Sequence, residues 1–137
     1  MIGRELSTGS ATVDAAHVAA FAKALRDPNP AYQGADATTA PLTYPLAFMT
    51  QALAGGSSAF LELGLNFMTL VHGEQEFEYV RPVRLGETLS LRGRVGDIYE
   101  KTGSSGTLDF VVLETEARDV AGELVFYSRN TLISKRV

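Results

Sequence analysis

The chain has 137 residues, 45% of them hydrophobic, which suits one domain with a sizeable buried core. Its 12 Lys+Arg against 16 Asp+Glu give a net charge of -4 without a basic cluster, which argues against an electrostatic nucleic-acid footprint. No cysteine means no disulfide or thiolate chemistry, and with only His17 and His72 a histidine-rich metal site is excluded as well. No stretch reaches the roughly 20 apolar residues of a membrane span. The bounds predict a single soluble, cytoplasmic domain over residues 1–137, with no membrane or nucleic-acid partner.

In chain order, MIGRELSTGS has no apolar run after its charges, so no targeting segment is expected. The first half then reads as helical. Asp14 can cap a helix whose Val18, Phe21, Ala22 and Leu25 follow the i, i+3, i+4, i+7 spacing of one buried stripe, and Pro28 stops it. Gln33 to Thr39 is a polar loop. A second helix runs from about Pro45 to Ala54, with proline in its first turn and Gly55-Gly56 at its end. Leu46, Ala47, Phe48, Met49, Ala52 and Leu53 make it apolar on nearly every side, so it is expected at the centre of the fold.

The second half supplies the sheet that buries this helix. Gln75, Phe77 and Tyr79 alternate with Glu74, Glu76 and Glu78, and Leu89, Leu91 and Val95 alternate with Ser90, Arg92 and Arg94. Denser apolar strands follow over Leu108 to Leu113 and Leu124 to Ile133, separated by the turns Gly103-Ser104-Ser105-Gly106 and Asp119-Val120-Ala121-Gly122. Helices followed by hairpin-linked strands predict an α+β fold, with the apolar helix on one face of an antiparallel meander.

Four stretches carry a family resemblance: FAKALRDPNPAY, APLTYPLAF, HGEQEFEYVRPVRLGETLSLRGRV and DVAGELVFYSRNTLI. From about Val13 to Ile133 the chain resembles the N-terminal MaoC-like dehydratase domain. APLTY is similar to the substrate-binding subunits of mycobacterial (3R)-hydroxyacyl-carrier-protein dehydratases. The resemblance implies a hot-dog fold, an antiparallel sheet wrapped around a long central helix. It also implies a homodimer or a heterodimer with a second hot-dog subunit, and an acyl tunnel near the interface that takes acyl-CoA or acyl-carrier-protein thioesters. No residue pattern implies a metal, flavin or nicotinamide cofactor.

Active (R)-specific hydratases of this superfamily carry Asp-x-Asn-Pro-x-His after the first helix, because a carboxylate and an imidazole together position water and exchange protons at the α and β carbons of an enoyl thioester. Asp27, Asn29 and Pro30 match that motif, but Tyr32 stands where the histidine belongs. A phenol, titrating at about 10 in ordinary surroundings, is a poor general base near neutral pH but can still donate a hydrogen bond. Read locally, the same residues make a helix stop and an Asx-type turn. In active relatives a His-Gly pair starts the central helix, and the glycine N–H polarises the thioester carbonyl. Here Tyr44 and Pro45 align with that pair. Proline has no N–H, so this donor is missing unless the alignment slips by one residue and Leu46 provides it; Pro45 is equally an ordinary first-turn proline.

The resemblance therefore implies a catalytic role for Asp27 and Tyr32, and substrate binding by Asn29, Tyr44, Pro45, Phe48, Met49 and Leu53. The expected function is a (3R)-hydroxyacyl-thioester dehydratase or (R)-specific enoyl-thioester hydratase protein, as a substrate-binding subunit with an incomplete catalytic motif. The alternatives are a self-sufficient hydratase using Asp27 and Tyr32, and a non-enzymatic acyl-thioester-binding partner domain. Other candidates have plainer explanations. His72 reads as a hydrogen-bonded core or edge residue and His17 as a solvated or partly packed helix residue. Glu74, Glu76 and Glu78 read as a wet strand face, able to meet Arg81, Arg92 or Arg94 across strands. Gly55-Gly56-Ser57-Ser58 lacks the Lys-Ser/Thr of a phosphate loop, and no Gly-x-Ser-x-Gly elbow is present.

Overall fold

The computed structural model describes residues 1–52 and 62–136. Within them the chain runs β1 (Glu5–Thr12), α1 (Ala15–Ala24), α2 (Pro45–Ala52), β2 (Val71–Tyr79), β3 (Thr88–Gly103), β4 (Gly106–Arg118) and β5 (Leu124–Lys135). All five strands join one antiparallel sheet in the order β1-β3-β4-β5-β2. The expected meander is β3-β4-β5; β2 crosses to the far edge and pairs with β5 instead of β3.

Three local differences from the sequence expectation have physical causes. The first is β1, an unforeseen strand: ELSTGSAT is mostly polar, and an edge strand that pairs only with β3 needs few apolar residues. The second is the end of α1. Asp14 does cap it, accepting the His17 N–H at 2.7 Å, and Val18 and Ala22 are buried. The helix is closed before Pro28 by two bonds, Arg26 N–H to Lys23 O at 3.0 Å and Asp27 N–H to Ala22 O at 2.9 Å. This pair is a Schellman motif with Arg26 at the left-handed position, φ 56°. Leu25 therefore sits at the turn, 52% exposed, instead of completing the buried stripe. The third is strand length: β4 runs on past its apolar stretch because small and polar residues such as Thr115 and Ala117 are also buried on the helix-facing side, whereas β3 runs on from Asp97 to Gly103 as an exposed hairpin arm held by backbone pairing with β4.

The period-two patterns hold. Leu89, Leu91 and Val95 are buried while Ser90, Arg92 and Arg94 are exposed, and on β2 Gln75, Phe77 and Tyr79 are half-buried while Glu74, Glu76 and Glu78 face solvent. Arg92 pairs with Glu5, Arg94 with Glu114, and Arg81 with Glu87 and Asp119, so those arginines are engaged elsewhere than with the β2 glutamates. A bulge at Gly73 bends β2, and a Cβ there would lie 2.5 Å from Ile133 Cδ1 and 3.3 Å from Thr131 O.

The apolar α2 lies on one face of the sheet. Tyr44, Phe48 and Met49 join Leu89, Leu91 and Phe126 in the larger core cluster, with Phe48 and Phe126 edge to face at 6.4 Å. A smaller cluster, Leu65, Val95 and Val111, fills the other end. Between the two runs a polar row formed by Thr115, Ser128, Gln75 and Asn130. Within the described residues α2 spans eight residues; the expected Gly55-Gly56 stop and Leu53 lie outside them.

Candidate functional site

The Asp27–Tyr32 loop is built by two consecutive Asx turns. Asp27 Oδ1 accepts the Asn29 N–H at 3.0 Å, and Asn29 Oδ1 accepts the Ala31 N–H at 3.0 Å. Gln33 Nε2 donates to the Asp27 carbonyl at 2.9 Å, and the Tyr32 N–H to the Asn29 carbonyl at 3.1 Å. The side-chain oxygen of Asn29 and one carboxylate oxygen of Asp27 thus hold backbone. No hydrogen-bond partner for the other Asp27 oxygen or for the Tyr32 hydroxyl is found among the described residues. Tyr32 is half-buried, its ring packed on the larger core cluster.

The start of α2 is equally well defined. Pro45 is its first residue and is fully buried; the Leu46 N–H donates to Thr43 O at 3.3 Å, and the Ala47 N–H to Tyr44 O at 2.9 Å. The turn is fixed from outside by Tyr79, whose hydroxyl donates to Leu42 O at 2.5 Å and whose phenol burial pushes well up from its ordinary range. Neither Leu46 nor Ala47 therefore offers a spare amide where the resemblance places an oxyanion donor.

Tyr44 and Phe48 reach a different place. With Ser10, Ala11, Thr12, Asp14 and His17 they line a cavity of about 350 Å³ between β1 and the amino end of α1. The Tyr44 oxygen lies 2.9 Å from His17 Nδ1, and its ring packs edge-on to His17 at 5.5 Å and Phe21 at 5.4 Å. Burial, with the Asp14 charge adding to it, pushes the Tyr44 phenol up, so it stays protonated. Asp27, Asn29 and Tyr32 do not line this cavity, and Pro45 and Met49 are buried in the core beside it.

Sequence reasoning passed over the Asp14–His17–Tyr44 group. The available signal was the capping residue followed three positions later by histidine, a spacing that puts both on the first turn of α1. It also passed over a structural use of VRPVRLGE. Arg81 donates to both carboxylate oxygens of Glu87, at 3.0 and 2.7 Å, and to Asp119 at 3.2 Å, while Glu87 also accepts the Arg84 N–H at 2.7 Å. Asp119 accepts the Ala121 and Glu123 N–H groups at 3.0 Å each. The Glu123 amide, helped by Arg81, holds the Asp119 carboxyl below its ordinary range. This clamp ties the β2–β3 connection to the β4–β5 turn.

Gln75 Oε1 and Asn130 Oδ1, paired across β2 and β5, are buried without a hydrogen-bond partner among the described residues, although Gln75 Nε2 reaches Ser128 Oγ at 2.7 Å. Among the described residues no group of three or more His, Asp or Glu side chains is placed to hold a metal ion, and no helix is long and apolar enough to cross a membrane.

Residues 1–128 match the family profile described as "FAS1-like, dehydratase domain region". A UPF0336 protein of Thermobifida fusca is 35% identical over 121 residues, covering 82% of this chain and 76% of its own length. In structure, the chain is similar to a chain of the C-terminally truncated HadBC (3R-hydroxyacyl-ACP dehydratase) complex of Mycobacterium tuberculosis, with a TM-score of 0.74, 24% identity and 96% of each chain covered. It is also similar to a MaoC-like dehydratase, with a TM-score of 0.79 and 21% identity over 98% of this chain and 41% of that one. At these identities the structural likeness establishes the fold, a MaoC-like hot-dog domain.

Proposed function

The chain belongs to the FAS1-like dehydratase domain region family, and from that premise we propose that it is the substrate-holding subunit of a (3R)-hydroxyacyl-thioester dehydratase or (R)-specific enoyl-thioester hydratase. A second hot-dog subunit supplies the intact Asp and His. The start of α2 carries this reading: Pro45 has no N–H, and those of Leu46 and Ala47 are bonded to Thr43 and Tyr44. One oxyanion donor is worth roughly 10²–10³ in rate, and general acid-base catalysis, weakened by Tyr32 in place of His, roughly 10²–10⁴. The two losses need not multiply, but either one reduces an enzyme to a poor catalyst.

In this proposal α2 begins the long central helix, and Phe48, Met49 and Leu53 help line the acyl channel, with Asn29, Tyr44 and Pro45 at its mouth. The partner docks along the free edge of β2. Apolar side chains lie exposed at both ends of that edge: Phe67, Met68 and Val71 at its start and Val80 just past its end. The relationship to a HadBC chain, itself from a complex, favours such pairing.

A second reading keeps the chain self-sufficient, with Asp27 as base and the Tyr32 hydroxyl orienting water. It is favoured by the second Asp27 oxygen and the Tyr32 hydroxyl, which have no hydrogen-bond partner among the described residues. The purified chain, titrated with crotonyl-CoA in a calorimeter and assayed for loss of the enoyl absorbance, separates the two. Saturable binding with little turnover, unchanged by Tyr32→Phe, fits the substrate-holding subunit. Brisk turnover that Tyr32→Phe abolishes establishes the self-sufficient enzyme, and absence of binding removes both.

A further inference from the structure

The outer face of the sheet, turned away from α2, carries charges of alternating sign. One row of directly paired positions crosses all five strands: Glu5 on β1, Arg94 on β3, Glu114 on β4, Arg129 on β5 and Glu76 on β2. Arg94 bonds Glu114 at 2.9 Å, Arg129 lies 3.7 Å from the same carboxylate, and Glu5 is held at 3.2 Å by Arg92 of the next row. Opposite charges set directly across strands stabilise a sheet, and like charges destabilise it. The alternation ends on a negative position at the free edge.

Glu74 and Glu78 flank Glu76 two residues away on either side, so all three point to the same face. Among the described residues β2 pairs with β5 alone, and no ion pair engages any of the three; Arg129, the cation in register with Glu76, is turned to Glu114. A strand added here meets unpaired backbone groups and, on the outer side, three uncompensated carboxylates. On the helix-facing side it meets Gln75, Phe77 and Tyr79, which are only half-buried.

This edge discriminates between a second copy and a different partner. Two copies joined along β2 by a two-fold axis, with their helices on one face of a continuous sheet, pair antiparallel, and directly opposed residues share a face. Whatever the register, overlap of the Glu74 to Glu78 segments then sets glutamate against glutamate. A strand with Lys or Arg at every second position instead continues the alternation, and its intervening apolar side chains cover Phe77 and Tyr79.

We infer that the β2 edge rejects a second copy of this chain and takes a strand in which Lys or Arg on the outer face alternates with apolar residues on the helix-facing side. The inference rests on the docking of a second hot-dog subunit along β2 proposed above, and it names the chemistry of that subunit's edge.

A charge swap in the whole chain tests it, read without substrate by sedimentation equilibrium at low salt. Neither the wild type nor a triple variant, Glu74→Lys with Glu76→Lys and Glu78→Lys, should self-associate through β2. Their one-to-one mixture should form a mixed dimer at least about tenfold tighter than either alone, weakening as salt is raised, with the β2 amides protected from exchange only in the mixture. The corresponding triple Glu→Gln variant removes the repulsion without adding a cation and should strengthen self-association about tenfold, a measurement that does not depend on the lysine variant folding. A wild-type dimer as tight as the mixture, with its β2 amides protected, overturns the inference. So does a mixture of folded chains that stays monomeric, which would leave the glutamates as a solubilising edge. Either result leaves the thioester reading standing, whereas a chain that passes the swap but fails to bind crotonyl-CoA removes that reading alone.

Discussion

Replacing Arg81 by methionine keeps the aliphatic stem but removes the guanidinium that joins the β2–β3 connection to the β4–β5 turn. Its bonds to Glu87, at 2.7 and 3.0 Å, form a bidentate pair whose side chains are 20% and 15% exposed. An exposed ion pair contributes about 0.2–1 kcal/mol, whereas breaking a buried one costs about 3–5 kcal/mol because the remaining charge is stranded. The clamp lies between these limits, and bidentate geometry raises it, so Arg81→Met should cost about 2–3 kcal/mol. For a chain of this length that is a fall in Tm of roughly 6–12 °C, read by calorimetry and checked as a shift in urea midpoint at constant slope. Because the Asp119 carboxyl is held low in the folded state, its contribution is present above the ordinary carboxylate range and lost as pH falls through the depressed value. The gap between wild type and Arg81→Met should therefore narrow on acidification. A loss below about 0.5 kcal/mol, or a gap that widens in acid, would refute the clamp.

Three further outcomes follow from local geometry. Arg26→Gly should stabilise by about 0.5–1 kcal/mol, since glycine takes the left-handed position of the Schellman motif without strain; a lower urea midpoint contradicts it. Gly73→Ala should cost about 1–3 kcal/mol through its contact with Ile133, and Ile133→Val should restore part of that in the double variant, as measured by thermal unfolding. Glu114, held low first by the Tyr127 hydroxyl and then by Arg94 and Arg129, contributes stability above its ordinary range that is lost as pH falls through the depressed value. Glu114→Gln should accordingly flatten the acid limb of stability against pH.

The α+β class and the strand alternation of β2 and β3 were legible because buried and exposed side chains alternate with the pleat, and the Asp14 cap because its side chain bonds only three residues away. β1 was not legible: its pairing with β3 relies on backbone bonds across about eighty residues of sequence, and Ser, Thr and Gly leave no apolar trace. The site was legible only in part. Asp27, Asn29 and Tyr32 could be singled out by motif, but their Asx turns satisfy the local reading as well as the functional one. The His17–Tyr44 bond joins residues 27 apart on two elements, and only the packing of α1 against the turn before α2 brings them together. Arg81 and Asp119 are farther apart still, so the most distinctive stretch of the sequence gave no hint of its clamp.

The central claim is that this chain holds an acyl thioester but needs another subunit to transform it. Crotonyl-CoA hydration by the purified chain, alone and mixed with a hot-dog subunit that carries the complete Asp-x-Asn-Pro-x-His motif, tests it most directly. Turnover near background for the chain alone, rising at least about a hundredfold above either component in the mixture, is the predicted result. Full turnover by the chain alone, lost in Asp27→Asn, would contradict it.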